Sequence, residues 1–182
     1  VSYKEEDPIK ASVLRFYNKR FNNNLTQRYK AKLLMAIVDK IFFNEIREKD
    51  KLVYSIFMGE YFSQKLPNGL ISIILGYNSD PKNVEVINKK IENILNGVKN
   101  KSFDKQVFTN QKKALINELK KEQNTNKYWI DSLIRADKYK ENFERYAYIE
   151  QIINQISLND ISLLAKKYFD EEYFNSTQLI KE

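Results

Sequence analysis

Two side chains, Arg47 and Tyr54, give this 182-residue sequence its one constellation with chemistry in it. They lie in the segment from Asn44 to Ser55, where a helix with several apolar stripes gives way to a strand-like run. A helix-to-strand reversal can bring residues seven positions apart close in space. Together they would offer a rigid guanidinium fork and a phenolic hydroxyl, donors suited to a carbonyl or carboxylate oxygen. The same residues also have an ordinary structural use. A cation near a helix C-terminus complements the macrodipole, and tyrosine is a common strand residue. On the residues alone both readings stand. Glu45 and Glu48 flank Arg47 and read as solvated, or paired with Lys49, rather than as acid–base carboxylates.

The residue types that are missing exclude more chemistry than the totals do. There is no Cys, so disulfides, thiolate nucleophiles and iron–sulfur sites are excluded, and the compartment stays open. There is no His, which removes Ser-His-Asp and Cys-His catalysis and leaves no imidazole for zinc. No Asp/Glu spacing resembles an EF-hand loop. No cofactor is therefore expected in this chain. The net charge of +7 raises nucleic acid or an anionic surface as a partner. Lysines, however, are scattered along every polar helix face and mixed with Glu, as in Lys112 to Glu122, so no specific nucleic-acid binding is expected. Apolar runs such as Ile71 to Leu75 stop far short of the roughly 20 residues of a bilayer span. The polar opening, Val1 to Asp7, lacks an apolar signal region and reads as the start of an excised piece.

The elements that must position Arg47 and Tyr54 follow from periodicity. Alternation over Ile9 to Tyr17, after Pro8, predicts a strand, and Asn22-Asn23-Asn24 a turn. From Leu25 the spacing becomes helical (Tyr29, Leu33, Ala36, Ile37, Ile41), predicting one helix to about Lys49, buried on two sides. Leu52 to Phe62 and Leu70 to Tyr77 read as an antiparallel hairpin about Leu66-Pro67-Asn68-Gly69. Asp80-Pro81 opens the next helix, with Val84, Ile87, Ile91, Ile94 and Leu95 on one face. Ser102 or Asp104 caps a helix to about Lys121, and Asn124 to Asn126 interrupts it. Helical segments follow around Trp129, over Phe143 to Ile153 and over Leu158 to Tyr168, the last capped near Asn159-Asp160. Ser176 to Ile180 is β-like. The order predicts an α+β fold, an antiparallel sheet with helices packed on one face, as a single module over residues 1–182.

The pattern I-R-E-x-x-x-L-V-Y-S, Ile46 to Ser55, resembles the pitrilysin/insulinase family of zinc metallopeptidases. Gly69 to Ile73, Asp80 to Asn83, Leu95-Asn96-Gly97, Lys113 to Leu119 and Tyr128 to Leu133 match the order and spacing of that family's later elements. Those peptidases are built from related α+β modules, one of which carries the inverted zinc motif H-x-x-E-H. With no His, this chain resembles instead a C-terminal-type module that binds no zinc and contributes an Arg and a Tyr.

The resemblance implies a substrate-binding, transition-state-stabilising module of a larger zinc-dependent endopeptidase. Tyr54 would donate to the scissile carbonyl oxygen and Arg47 would position the substrate backbone. Zinc would sit in another module, of the same polypeptide or of a zinc-bearing partner subunit. The substrate would be a peptide laid along a sheet edge as an added strand. The fragment alone should be inactive. An alternative is a catalytically inactive scaffold or partner module of the same fold; a basic nucleic-acid-binding domain is the weaker one. One departure stands out: the family often has Gly three residues before the Tyr, where a helix exit favours positive φ, and here Lys51 follows Asp50.

Overall fold

Alternating apolar residues build the first strand, β1 (Ala11–Phe21), which places Ala11, Val13, Tyr17 and Phe21 on one face, all buried. Ser12, Leu14, Asn18 and Arg20 occupy the other face and are exposed. The strand runs four residues further than the predicted Tyr17 end. The polar Asn18-Lys19-Arg20 hides the alternation, but pairing with the third strand carries on to Phe21. The computed structural model describes residues 11–63, 69–170 and 174–180. Ile9, Lys10 and the Leu66 to Asn68 part of the predicted turn lie outside the described residues.

Asn24 caps the first helix, α1 (Leu25–Phe42), its side chain accepting from the Gln27 N–H. The helix passes into a wider π-helical stretch over Phe43–Lys49. Periodicity predicts the Lys49 end but not the widening, because the four-residue step from Phe42 to Ile46 suits either helix. β2 (Val53–Ser63) and β3 (Gly69–Ser79) pair antiparallel, as the hairpin reading requires. Then come a 3-10 turn, Pro81–Asn83, and α2 (Val84–Lys99). α3 (Lys105–Gln123) follows, capped by Asp104, and α4 (Asn126–Tyr139), capped by Thr125. A second 3-10 turn, Phe143–Tyr148, leads to α5 (Ile149–Gln155) and α6 (Leu158–Tyr168). The last strand, β4 (Phe174–Ile180), returns to pair with β1, giving the antiparallel order β2-β3-β1-β4.

The helices cover one face of this sheet. α1 packs on β2 and touches α2, α3, α5 and α6, which explains why nearly all round it is buried. α6 closes the core against β1, with Tyr17 and Phe169 in edge-to-face contact at 5.4 Å and Phe21 between Phe62 and Tyr168. Among the described residues no helix covers the other sheet face. A polar ladder crosses it: Ser12 donates to Asn78 Oδ1 at 2.6 Å, and the Asn78 amide donates to Ser55 Oγ at 2.9 Å. Gly76 lies on that face, where a Cβ would come within 2.5 Å of the present Phe57 ring position. Among the described residues no helix is long and apolar enough to cross a membrane.

At the start of α6 the Ser157 hydroxyl and the Asp160 carboxylate form a reciprocal capping box, and Lys30 of α1 also donates to Asp160. Burial pushes the Asp160 carboxyl up, but the hydrogen bonds from Lys30 and Ser157 outweigh it and hold the group at about 2, against an ordinary 3.8. Because the folded value lies below the unfolded one, this contribution is complete above about pH 4 and is lost as pH falls through about 2. Denaturant midpoints measured from pH 5 to pH 2 should therefore fall less steeply in Asp160→Asn than in the native chain.

Candidate active site

The candidate site is built where α1 ends and β2 begins. In the π-helical turn Ile46 is fully buried and anchors the segment, while Arg47 points outward and is exposed. Short π-helical stretches recur at functional sites, where the extra residue alters the direction of following side chains. The Arg47 guanidinium lies 5.2 Å from the centre of the Phe43 ring, a cation–π contact that keeps it along the helix surface. Glu45 pairs with Lys49 at 3.0 Å.

The chain then turns sharply. Lys51 adopts φ 53°, in the left-handed region, and the Leu52 N–H bonds the Ile46 carbonyl at 3.1 Å. Satisfying the end of a helix in this way usually calls for glycine. Lys51 takes the same backbone conformation in its place, so the departure from the family pattern leaves the reversal intact. Asp50 braces the turn through Lys90 of α2 at 2.5 Å.

Tyr54 stands at an irregularity in the sheet. Val53 pairs with Ser79 and Ser55 with Asn78, so Tyr54 is the extra residue of a β-bulge. Bulges re-aim a side chain out of the regular alternation and are common beside active sites. Tyr54 is 52 % exposed, and its hydroxyl donates to Asp80 Oδ1 at 2.5 Å. That bond, with smaller contributions from burial and the Asp80 charge, raises the phenol above its ordinary value. The hydroxyl is thus protonated, and a donor, at neutral pH.

The reversal places both predicted residues at one end of β2, on the surface. It does not join them by a hydrogen bond: Arg47 lies on Phe43 and Tyr54 is held by Asp80. The sequence marked Asp80-Pro81 as the opening of the next helix and assigned Asp80 no part in the site. The missed signal was the hairpin itself, since pairing β2 with β3 puts the residue after Ser79 beside the start of β2.

The outer edge of β2 carries a further feature. The Met58 N–H, which does not pair with β3, donates to Asp39 Oδ1 of α1 at 3.1 Å. Desolvation is the main cause of the raised Asp39 carboxyl. An edge N–H taken in this way is closed to another strand.

The fit to a metal is poor. With no His in the chain, and no group of three or more Asp or Glu able to hold a metal among the described residues, nothing here suits zinc.

The chain matches the family model described as PQQ synthase PqqF-like, C-terminal lobe domain 4, over residues 33–131, which include Arg47, Tyr54 and Asp80. No curated protein sequence matches it. Among solved structures it is similar to the periplasmic protease PqqL from Escherichia coli, with TM-score 0.76, 16% identity, 100% of this chain and 20% of that one covered. The ferredoxin protease FusC, solved as a mutant with Arabidopsis ferredoxin, superposes with TM-score 0.74 at 15% identity, over 93% of this chain and 18% of that one. The inactive peptidase domain of a Bordetella parapertussis protein superposes with TM-score 0.70 at 12% identity, covering 95% of this chain and 94% of that one. The chain thus spans about a fifth of the length of PqqL and FusC. At these identities the superpositions establish the fold, shared with modules of solved proteases, and the family match adds the kinship: the chain belongs to the PQQ synthase PqqF-like, C-terminal lobe domain 4 family.

Proposed function

We propose that residues 1–182 form a single module that contacts substrate and binds no zinc, within a larger zinc-dependent endopeptidase that cleaves peptides. The observation that carries this reading is the Tyr54 phenol, set on a bulge at the start of β2, half exposed and protonated, where Arg47 also reaches solvent. A donor so placed can meet the oxygen of a scissile carbonyl as negative charge develops on it. Arg47 can hold neighbouring backbone carbonyls of the same peptide through its fork of N–H groups. Both groups project from regular backbone, so the positions of their Cα–Cβ bonds are fixed before substrate arrives. A peptide strand laid along β2 would pair at the Tyr54 end, because the Met58 position is occupied by Asp39. The metal belongs to another module, in the same polypeptide or a partner subunit, and supplies Lewis-acid chemistry there.

A second reading, a catalytically silent scaffold of the same fold, is favoured by one observation: the Tyr54 proton is already committed to Asp80. The test is turnover of a peptide by the full-length protein with Tyr54→Phe, alongside this chain by itself. The substrate-contacting reading expects no cleavage from the isolated chain and a large loss in the full-length variant. Chelator-sensitive cleavage by the isolated chain overturns it.

A further inference from the structure

The contact between Tyr54 and Asp80 bears directly on how the site works. A tyrosine hydroxyl carries one proton, and a carbonyl oxygen offers only lone pairs. While that proton is donated to Asp80 Oδ1, the phenol presents no donor to an incoming carbonyl. The bond is short, 2.5 Å, and ends on a carboxylate, the stronger kind of hydrogen bond.

Both partners are set by the backbone. Tyr54 is the bulge residue beside the Val53 to Ser79 pair, and Asp80 directly follows Ser79. Pro81 confines the residue before it to extended conformations, and Asp80 sits there, at φ −64° and ψ 141°. The Asp80 side chain makes no capping bond to the 3-10 turn it precedes; the Asn83 N–H bonds the Asp80 backbone carbonyl instead. The carboxylate is therefore not needed to build the turn. Tyr54 is half exposed, so its hydroxyl bond to Asp80 is made at the surface.

We infer that Asp80 is a positioning residue that holds the Tyr54 hydroxyl off line, releasing it to the substrate carbonyl only when the Asp80 bond is broken. This rests on the substrate-contacting reading above and specifies how that same site is regulated. The arrangement orients the phenol without presenting its proton to solvent or to a misplaced peptide. Breaking one charge-assisted hydrogen bond is then a cost borne in every turnover.

The test uses the full-length protein with an internally quenched oligopeptide as probe. Four variants are compared: Asp80→Ala, Asp80→Asn, Tyr54→Phe and the double variant Asp80→Ala with Tyr54→Phe. Removing the carboxylate should raise kcat by about tenfold with KM little changed, the scale of one such bond released before the transition state. Asp80→Asn keeps a neutral acceptor and should raise kcat less. The double variant should show no rise over Tyr54→Phe. Separately, ¹³C-tyrosine spectra of this chain should show the Tyr54 phenol titrating at lower pH in Asp80→Ala, which reports loss of the Asp80 bond, while a merely structural Asp80 would leave kcat without the rise. If Tyr54→Phe lowers kcat while Asp80→Ala leaves it unchanged or lowers it, the holding role fails and the Tyr54 reading survives. If Tyr54→Phe has no effect, the substrate-contacting reading fails and the holding role with it. Thermal unfolding of each variant separates either outcome from misfolding.

Discussion

Replacing Tyr54 with Phe in the full-length protein should lower kcat on a peptide by about 10²-fold, the loss usual for one oxyanion donor. KM should move little, because a bond made chiefly in the transition state contributes little to ground-state binding. The substitution keeps the ring and removes one oxygen from a residue that is half exposed on a bulge. Stability should hardly change, since the atom removed is not part of the core. Steady-state kinetics with thermal unfolding of the same preparations check both expectations. An unchanged kcat would assign the module to the scaffold class, whatever the similarity of its fold to PqqL and FusC.

The largest expected effect on stability lies at the other end of α1. Arg28 donates to Glu141 Oε2 at 2.5 Å, and both side chains are only 10 % exposed. Its second amine donates to Asn23 Oδ1 at 2.9 Å, and the guanidinium lies 4.8 Å from the centre of the Tyr139 ring. Tyr146 also donates to Glu141 Oε2, at 2.8 Å; burial first, and then this bond, keep its phenol well above the ordinary range. The network ties the first helix to the connection after α4, across 113 residues of sequence.

Glu141→Ala leaves a buried guanidinium without its counter-charge and should cost about 3–5 kcal/mol. For a chain of this length that corresponds to a fall in Tm on the order of 10 °C. Replacing both charges at once, Arg28→Met with Glu141→Leu, should cost far less, because it removes the desolvated charges together with their attraction. The contrast matters because Glu141 Oε1 is buried with no hydrogen-bond partner, so the native pair is imperfectly satisfied. Denaturant unfolding of the single and double variants measures the difference. Equal losses in both would show that packing of the long side chains, rather than charge, holds this connection.

The architecture was legible in the sequence because it rests on patterns that local chemistry dictates. Alternation in β1, the three-and-four spacing of Leu25 to Ile41, the strand pair before Asp80-Pro81 and the long helical half all reappear in the fold. Where the reading ran short, tertiary contacts overrode a local signal. The Asn18-Lys19-Arg20 stretch stays in β1 because its neighbour β3 continues alongside. At α6 the cap is Ser157, with Asp160 reciprocating, a local S-x-x-D capping box and not a tertiary effect.

For the candidate site the division is sharper. Residue types alone removed imidazole and thiolate metal ligands from this chain, because no side-chain arrangement can supply groups that the sequence lacks. They also marked Arg47 and Tyr54 as donors, since a guanidinium and a phenol are donors in any fold. Only the folded chain decided what those donors do at rest. The widened helix turn, the left-handed Lys51 and the bulge at Tyr54 set their directions, and none has a unique sequence signature. The Asp80 contact arises because antiparallel pairing places the end of β3 beside the start of β2, joining residues 26 positions apart. A hydrogen bond of that kind depends on register and backbone angles to within an ångström, whereas a hydrophobic pattern specifies only which face turns inward.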